Sequence, residues 1–148
     1  MKQSILGPHA WVWGGTHYVP VLTTKETGGA ISITESISPP SSGPPRHIHH
    51  DADEIFYLIT GDCEFWMDGK SMSRGPGDSV FIPRGAEHAF RVISDIPCRM
   101  LTVFTPGGFE GFFGEMARKG LRIPNDMDVI KDIAGQYHLT FTGPPLAA

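Results

Sequence analysis

Three of the seven histidines in this 148-residue chain, His47, His49 and His50, fall within four positions, and a fourth, His88, lies far downstream. On a β-strand residues i and i+2 project to one face, so His47 and His49 present two imidazoles side by side while His50 points away into a turn. Glu54 follows His49 by five residues, which would place it on the wrong face of an unbroken strand. His50–Asp51–Ala52–Asp53 is turn chemistry, and a turn there makes Glu54 the opening residue of a neighbouring antiparallel strand, opposite the histidine pair. The segment Gly77–Asp78–Ser–Val–Phe–Ile–Pro83–Arg84–Gly85–Ala–Glu–His88 repeats this logic, a short strand running into a turn and returning with His88 near its start. Arg91 belongs in solvent, so alternation turns His88, Phe90 and Val92 inward. Three neutral nitrogen donors and one anionic oxygen in an apolar interior are a ligand set for a divalent transition metal.

The elements that must position these residues read as strands. Runs rich in Ile, Val, Phe and Thr lie at about 29–38, 45–50, 54–60, 62–68, 78–82, 87–93 and 97–105, separated by Gly-, Pro- and Asp-rich turns. The 18 glycines and 13 prolines exceed the usual share of roughly 12%. Short strands with such punctuation predict an all-β fold of hairpins. Phe109, Phe112, Phe113 and Met116 fall at helical spacing before Gly120, and a second helical stretch runs from Pro124 to Gly135. The tail Gly143–Pro144–Pro145–Leu146 reads as extended. One domain is expected, with an N-terminal arm at 1–27, a barrel at 28–105 and a C-terminal helical extension at 106–148.

Pro45–Arg–His47–Ile–His49, Glu54 and Gly61, followed by Gly77, Pro83–Arg–Gly85 and His88, together resemble both conserved motifs of the cupins. Gly43 stands three residues before the histidine pair, where the motif has its glycine five before, and Val92 takes the place of the terminal Asn. Thr105–Pro–Gly–Gly–Phe–Glu–Gly–Phe–Phe and Gly143–Pro–Pro–Leu146 resemble single-domain bacterial cupins grouped with quercetin-type dioxygenases. The resemblance implies an all-β double-stranded β-helix (jelly-roll) barrel of six to eight strands, with C-terminal helices and one metal ion held by His47, His49, Glu54 and His88. Iron, nickel, manganese, cobalt and zinc all suit such donors. It further implies a quercetinase-like oxidoreductase, in which Glu54 is the catalytic base that deprotonates a small aromatic or enolic substrate before dioxygen attacks. A metal-assisted cyclase or isomerase of a polyketide-like aromatic would share that first step without oxygen, and a non-catalytic cupin would only bind a small ligand.

Strand parity assigns Phe56, Leu58, Phe65, Met67, Phe90 and Phe104 to the substrate pocket, with Met100 or Thr102 contributing. No inward Arg or Lys is evident, so a flat, apolar, uncharged substrate is expected. Trp11 and Trp13 are assigned to a strand edge or a subunit contact, and His17 reaches the site only if the N-terminal strand lines the mouth. The apolar outer positions Ile55, Tyr57 and Ile59 point to a homodimer. A net charge of −4 without a basic block argues against a nucleic-acid partner. The absence of a leader pattern and of long apolar runs argues against a membrane and for the cytoplasm. Cys63 and Cys98, lacking CxxC spacing, are expected to be free core thiols.

Overall fold

The computed structural model describes residues 4–148, so positions 1–3 of the expected N-terminal arm lie outside the described residues. Strands β1 (Trp11–Trp13), β2 (Thr16–Leu22), β3 (Ser32–Ser38), β4 (Pro45–His49), β5 (Asp53–Thr60), β6 (Cys63–Met67), β7 (Lys70–Arg74), β8 (Ser79–Ile82), β9 (Glu87–Val92), β10 (Cys98–Thr105) and β11 (Leu139–Pro145) form two antiparallel sheets. One sheet has the order β1-β2-β3-β10-β5-β8 and the other β11-β4-β9-β6-β7. From β3 onward the chain crosses repeatedly between the sheets, the winding of a double-stranded β-helix. The helices are α1 (Thr24–Thr27), α2 (Glu110–Lys119) and α3 (Met127–Gln136).

Three expectations are corrected. The sheets face one another as a sandwich and do not close into a barrel, because each keeps two free edges, β1 and β8 on one and β11 and β7 on the other. Segment 28–105 holds eight strands, β3 to β10, within the expected six to eight, while β1, β2 and β11 lie in the arm and the C-terminal extension. Most turns carry the chain from sheet to sheet, and only β1–β2, β2–β3 and β6–β7 are hairpins between sequential strands. Segment 106–148 is also not wholly helical, since β11 returns to pair with β4.

Alternation decides what lies between the sheets. Phe56, Leu58, Cys63, Phe65, Ile82, Val92, Cys98 and Met100 form one apolar cluster, flanked by half-buried Met67 and Phe90. Phe104, Phe109, Phe112, Met116, Ile130, Ile133 and Leu139 form a second, under the C-terminal helices. Cys63 and Cys98 are buried free thiols. The aromatic N-terminal strand packs on α2 of its own chain: Trp13 Nε1 donates to the Leu121 carbonyl at 3.0 Å and its ring meets Phe112 edge-on. Helix α2 has no side-chain cap on Phe109. Instead the Glu110 carboxylate, buried in the first turn, accepts from the backbone and hydroxyl of Thr24 and from Gly108 N–H, an anion at the positive end of the helix.

Two glycines permit close backbone crossings. Gly61 turns β5 into β6 at φ +77°, and a Cβ there would lie 2.7 Å from the Pro97 carbonyl oxygen. A Cβ on Gly43 would stand 1.8 Å from the Phe90 carbonyl oxygen. The shifted glycine of the first motif therefore lets the chain entering β4 lie directly on β9. Gly43→Ala should destabilise the protein by more than about 2 kcal/mol, since the clash is with backbone. It should also weaken metal binding by moving β4 off β9. Gly135→Ala, in open space on α3, should instead be neutral or stabilising by about 0.5–1 kcal/mol. Denaturant titration of the two variants checks both.

Candidate metal centre

His47 and His49 lie on β4 and His88 on β9, and the β4–β9 register sets His47 directly opposite His88. Glu54 comes from the facing sheet, at the start of β5, paired with Phe104 on β10 and Ile82 on β8. The carboxylate therefore reaches the histidines across the sandwich, whereas the sequence suggested a neighbouring strand of the same sheet. Crossing between sheets reverses the inward direction relative to the chain, so the odd spacing from His49 to Glu54 puts both side chains inside. The crossing is fixed by backbone bonds: Gly85 N–H donates to the His49 carbonyl at 2.8 Å, and His50 N–H to the His138 carbonyl at 3.0 Å. Arg84 grips Asp53, next to Glu54, through its backbone N–H at 2.9 Å and Nε at 3.2 Å. That hydrogen bonding holds the Asp53 carboxyl below the usual carboxylate range.

One donor atom from each of His47, His49, Glu54 and His88 lies within 4.8 Å of the others, and the four could hold a metal ion. All are buried, from 8% exposed for His47 to 1% for His88. His47 Nδ1 donates to the Pro45 carbonyl at 2.7 Å and His88 Nδ1 to the Ala86 carbonyl at 3.0 Å, which leaves Nε2 as the free donor atom of each ring. Glu54 Oε1 is 2.8 Å from His88 Nε2 and 3.5 Å from His49 Nε2. His49 Nδ1 is buried without a partner. Neutral imidazoles gathered around one carboxylate, two of them oriented by backbone carbonyls, fit a divalent transition metal.

Burial, reinforced by the facing His88, pushes the His47 pKa down to about 3. His49 is lowered well below its ordinary value by burial and by neighbouring His47, His88 and His50. Burial also opposes a charge on His88, but the hydrogen bond and the charge of Glu54 outweigh it and raise that pKa. In the metal-free cluster His88 Nε2 and Glu54 Oε1 thus face one another within hydrogen-bond distance.

The centre opens on a cavity of about 690 Å³. Of the expected pocket residues, Phe56 and Phe90 line it. Leu58, Phe65, Met67 and Phe104 do not: the first three pack in one core cluster and Phe104 in the other, because the space between the sheets at those positions is filled by side chains. The cavity extends instead toward β2, β3, α2 and β11, and Trp13, Tyr18, Phe109, Phe112, Phe113 and Phe141 line it. Trp13 thus serves the cavity as well as the strand edge. A basic group is also present, since Arg122 from the α2–α3 connection stands on the lining. His17 is not a lining residue, as Thr16 and Tyr18 on either side of it face the cavity. His50 is exposed and meets Thr140 Oγ1 at 2.8 Å. The sequence signal for this wall lies in the helical spacing of Phe109, Phe112 and Phe113, the apolar face of an amphipathic helix.

The neutrality of His47 and His49 has a sign that can be checked. Both have folded pKa values below the unfolded value near 6.5, so the stability they contribute is present above pH 6.5 and is lost as pH falls below it, for His47 down to about 3. Each such histidine contributes a slope of about 1.4 kcal/mol per pH unit in that window. His88 has the opposite sign and acts in another window: its contribution is fully present below pH 6.5 and is lost as pH rises through its raised folded pKa, so it leaves the acid limb to His47 and His49. Thermal melts of metal-free protein should fall steeply between about pH 6 and pH 4. His47→Gln should flatten the profile.

The comparisons agree with this geometry. A family model described as "Cupin domain" matches residues 34–104. Quercetin 2,3-dioxygenase of Bacillus subtilis is 32% identical over 93 residues, 63% of this chain but 27% of that protein. The chain thus corresponds to about a quarter of that relative's length. An uncharacterised protein of Aquifex aeolicus is 33% identical over 63% of this chain and 74% of its own length. Among solved structures, the polyketide cyclase RemF of Streptomyces resistomycificus superposes with a TM-score of 0.57 at 25% identity, covering 65% of this chain and 72% of that one. Among the described residues no helix is long and apolar enough to cross a membrane. With both motifs on facing strands and their four donors gathered at one point, the chain belongs to the cupin superfamily.

Proposed function

We propose that the protein is a metal-dependent enzyme acting on a small aromatic or enolic compound, as a quercetinase-like dioxygenase. The observation that carries this reading is the convergence of three imidazoles and one carboxylate on the wall of an aromatic cavity. His47, His49, His88 and Glu54 would hold the ion. A divalent metal there supplies Lewis acidity to a deprotonated substrate oxygen and, where redox-active, the one-electron chemistry that dioxygen requires.

The chain's own residues do the rest. Glu54, whose carboxylate is buried at the centre beside the cavity, accepts the proton of an enolic or phenolic hydroxyl. Such proton transfer contributes roughly 10²–10⁴-fold. Phe56, Phe90, Phe109 and Phe112 keep water from the anion and offer faces against which a flat substrate stacks. The likeness to a polyketide cyclase favours, as a second reading, the same deprotonation followed by ring closure without oxygen. The subunit is further proposed to pair as a homodimer through the outer face of the six-stranded sheet, where Tyr57 is 45% and Phe81 56% exposed on adjacent strands.

Protein reconstituted with iron, nickel, manganese or cobalt should consume dioxygen with at least one member of a flavonol and catechol panel. A silent electrode throughout removes the dioxygenase reading, and turnover under strict anaerobiosis moves it to the cyclase. Glu54→Gln should retain part of the metal yet lose about 10²-fold or more in rate, and an unchanged rate rules out its role as base. Sedimentation should report a dimer for the wild type and a monomer for Tyr57→Glu with Phe81→Glu.

A further inference from the structure

The inward face of β3 is unlike a core strand. Its alternate residues Ser32, Thr34, Ser36 and Ser38 are all hydroxyl-bearing, and all are at most 6% exposed. Aliphatic residues at these positions would bury more apolar area, by roughly 25 cal/mol per Å², so four buried hydroxyls in a row forgo stability. The Thr34 and Ser32 hydroxyls have no hydrogen-bond partner, a costly state for a buried polar group. Adjoining strands extend the row. Thr34 pairs with Thr102 on β10, and Ser36 pairs with Tyr18 on β2. Thr16 Oγ1 donates to Ser38 Oγ at 3.2 Å. Thr16, Tyr18, Ser36, Ser38 and Thr102 all line the cavity.

This band begins beside the metal centre. Phe104 pairs with Glu54, and Thr102, two residues back along β10, pairs with Phe56. Hydroxyls therefore run from next to the carboxylate across β10, β3 and β2, away from the ion. Tyr18 stacks on Phe113 of α2 at 4.3 Å between centroids, so the aromatic lining from α2 adjoins the far end of the row. Hydroxyls are both donors and acceptors, and inward residues on one strand recur about every 6.6–6.8 Å. That spacing suits oxygens placed on separate rings better than two on adjacent carbons.

We propose that this hydroxyl band is the specificity surface of the site and that the substrate is a planar, polyoxygenated aromatic of more than one ring, whose remote oxygens are read by Ser36, Thr102 and Tyr18 while its chelating edge lies at the metal centre. The proposal rests on the reading of that centre as a substrate site, and it departs from the sequence-based expectation of a sparsely polar ligand. It assigns recognition, not chemistry, to the band.

The test uses full-length protein loaded with zinc, which is redox-silent, and two probes sharing the same ketone–enol edges: galangin, and kaempferol, which adds one hydroxyl on the remote ring. Affinity is measured by calorimetry and by quenching of tryptophan fluorescence, since Trp13 is on the cavity wall. Kaempferol should bind at least tenfold more tightly, the worth of about one net hydrogen bond. In Ser36→Ala with Thr102→Val the ratio should fall to within about threefold. The wild-type ratio stands without any variant, and metal content and melting point confirm that the double variant is folded. Equal affinities, failure of either probe to saturate, or a ratio unchanged in the folded variant overturns the proposal. Oxygen uptake by protein loaded with iron, nickel, manganese or cobalt is recorded in parallel. Band-dependent binding without uptake leaves the specificity surface standing and removes the dioxygenase, whereas uptake with no dependence on the band does the reverse.

Discussion

A carboxylate removed from water is tolerable only where cations, protons or hydrogen-bond donors replace the lost hydration. Glu54 is 4% exposed and its neighbours are three imidazoles. Two of those, His47 and His49, are held neutral by burial and by the histidines beside them, so they have lone pairs to offer and no charge. Only His88, aimed at Oε1, supplies a proton. The cluster is balanced by one shared proton or by one cation, and the cation is the better match because it engages the neutral nitrogens as well. The same balance prepares the acid for its proposed role: once the ion takes over the compensation, Glu54 is free to accept a proton from a substrate.

That arrangement depends on how the chain crosses between the sheets. His49 and Glu54 are near neighbours in sequence, yet they sit on opposite walls of the sandwich. His47 and His88 are distant in sequence and are directly paired. The contacts that hold these crossings are backbone ones, such as Gly85 to His49 and Ser41 and Ser42 to Val92. Val92, which replaces the polar residue that usually ends the second motif, shows why the exchange is tolerated: the position is fully buried, and the segment before β4 is secured through the Val92 backbone.

The four candidate donors were legible in the sequence and the course of the cavity was not. Histidine spacing, alternation and turn residues located every donor and the strands that bear them, because metal ligation constrains residue type and parity together. Leu58, Phe65 and Met67 were misassigned because parity reports which face a residue occupies but not whether the space before that face is empty. β7, Lys70–Arg74, escaped notice because its side chains are mostly exposed and polar, leaving no apolar alternation to read. β11 was missed because Gly143 and two prolines mark a tail, although irregular pairing with β4 accommodates them. The hydroxyl face of β3 is spelled out by Ser–Ile–Thr–Glu–Ser–Ile–Ser, but alternation alone does not tell which face is the inner one, since the Ile residues lie on the opposite face from the hydroxyls.

Chemistry and selection consequently draw on different parts of the chain. The donors come from β4, β5 and β9, whose neighbouring positions are committed to holding imidazoles and a carboxylate. The cavity is shaped by β2, β3, α2 and β11, which can vary without disturbing the ion. β11 belongs to both parts. Leu139 pairs with His49 and Phe141 with His47, so β4 is flanked by β9 on one side and β11 on the other and is not a sheet edge. An edge strand frays more readily than an internal one, and two ligands on a fraying strand would lose the preorganisation that a tight site requires. The C-terminal strand is therefore a structural part of the metal centre, even though it contributes no donor to it.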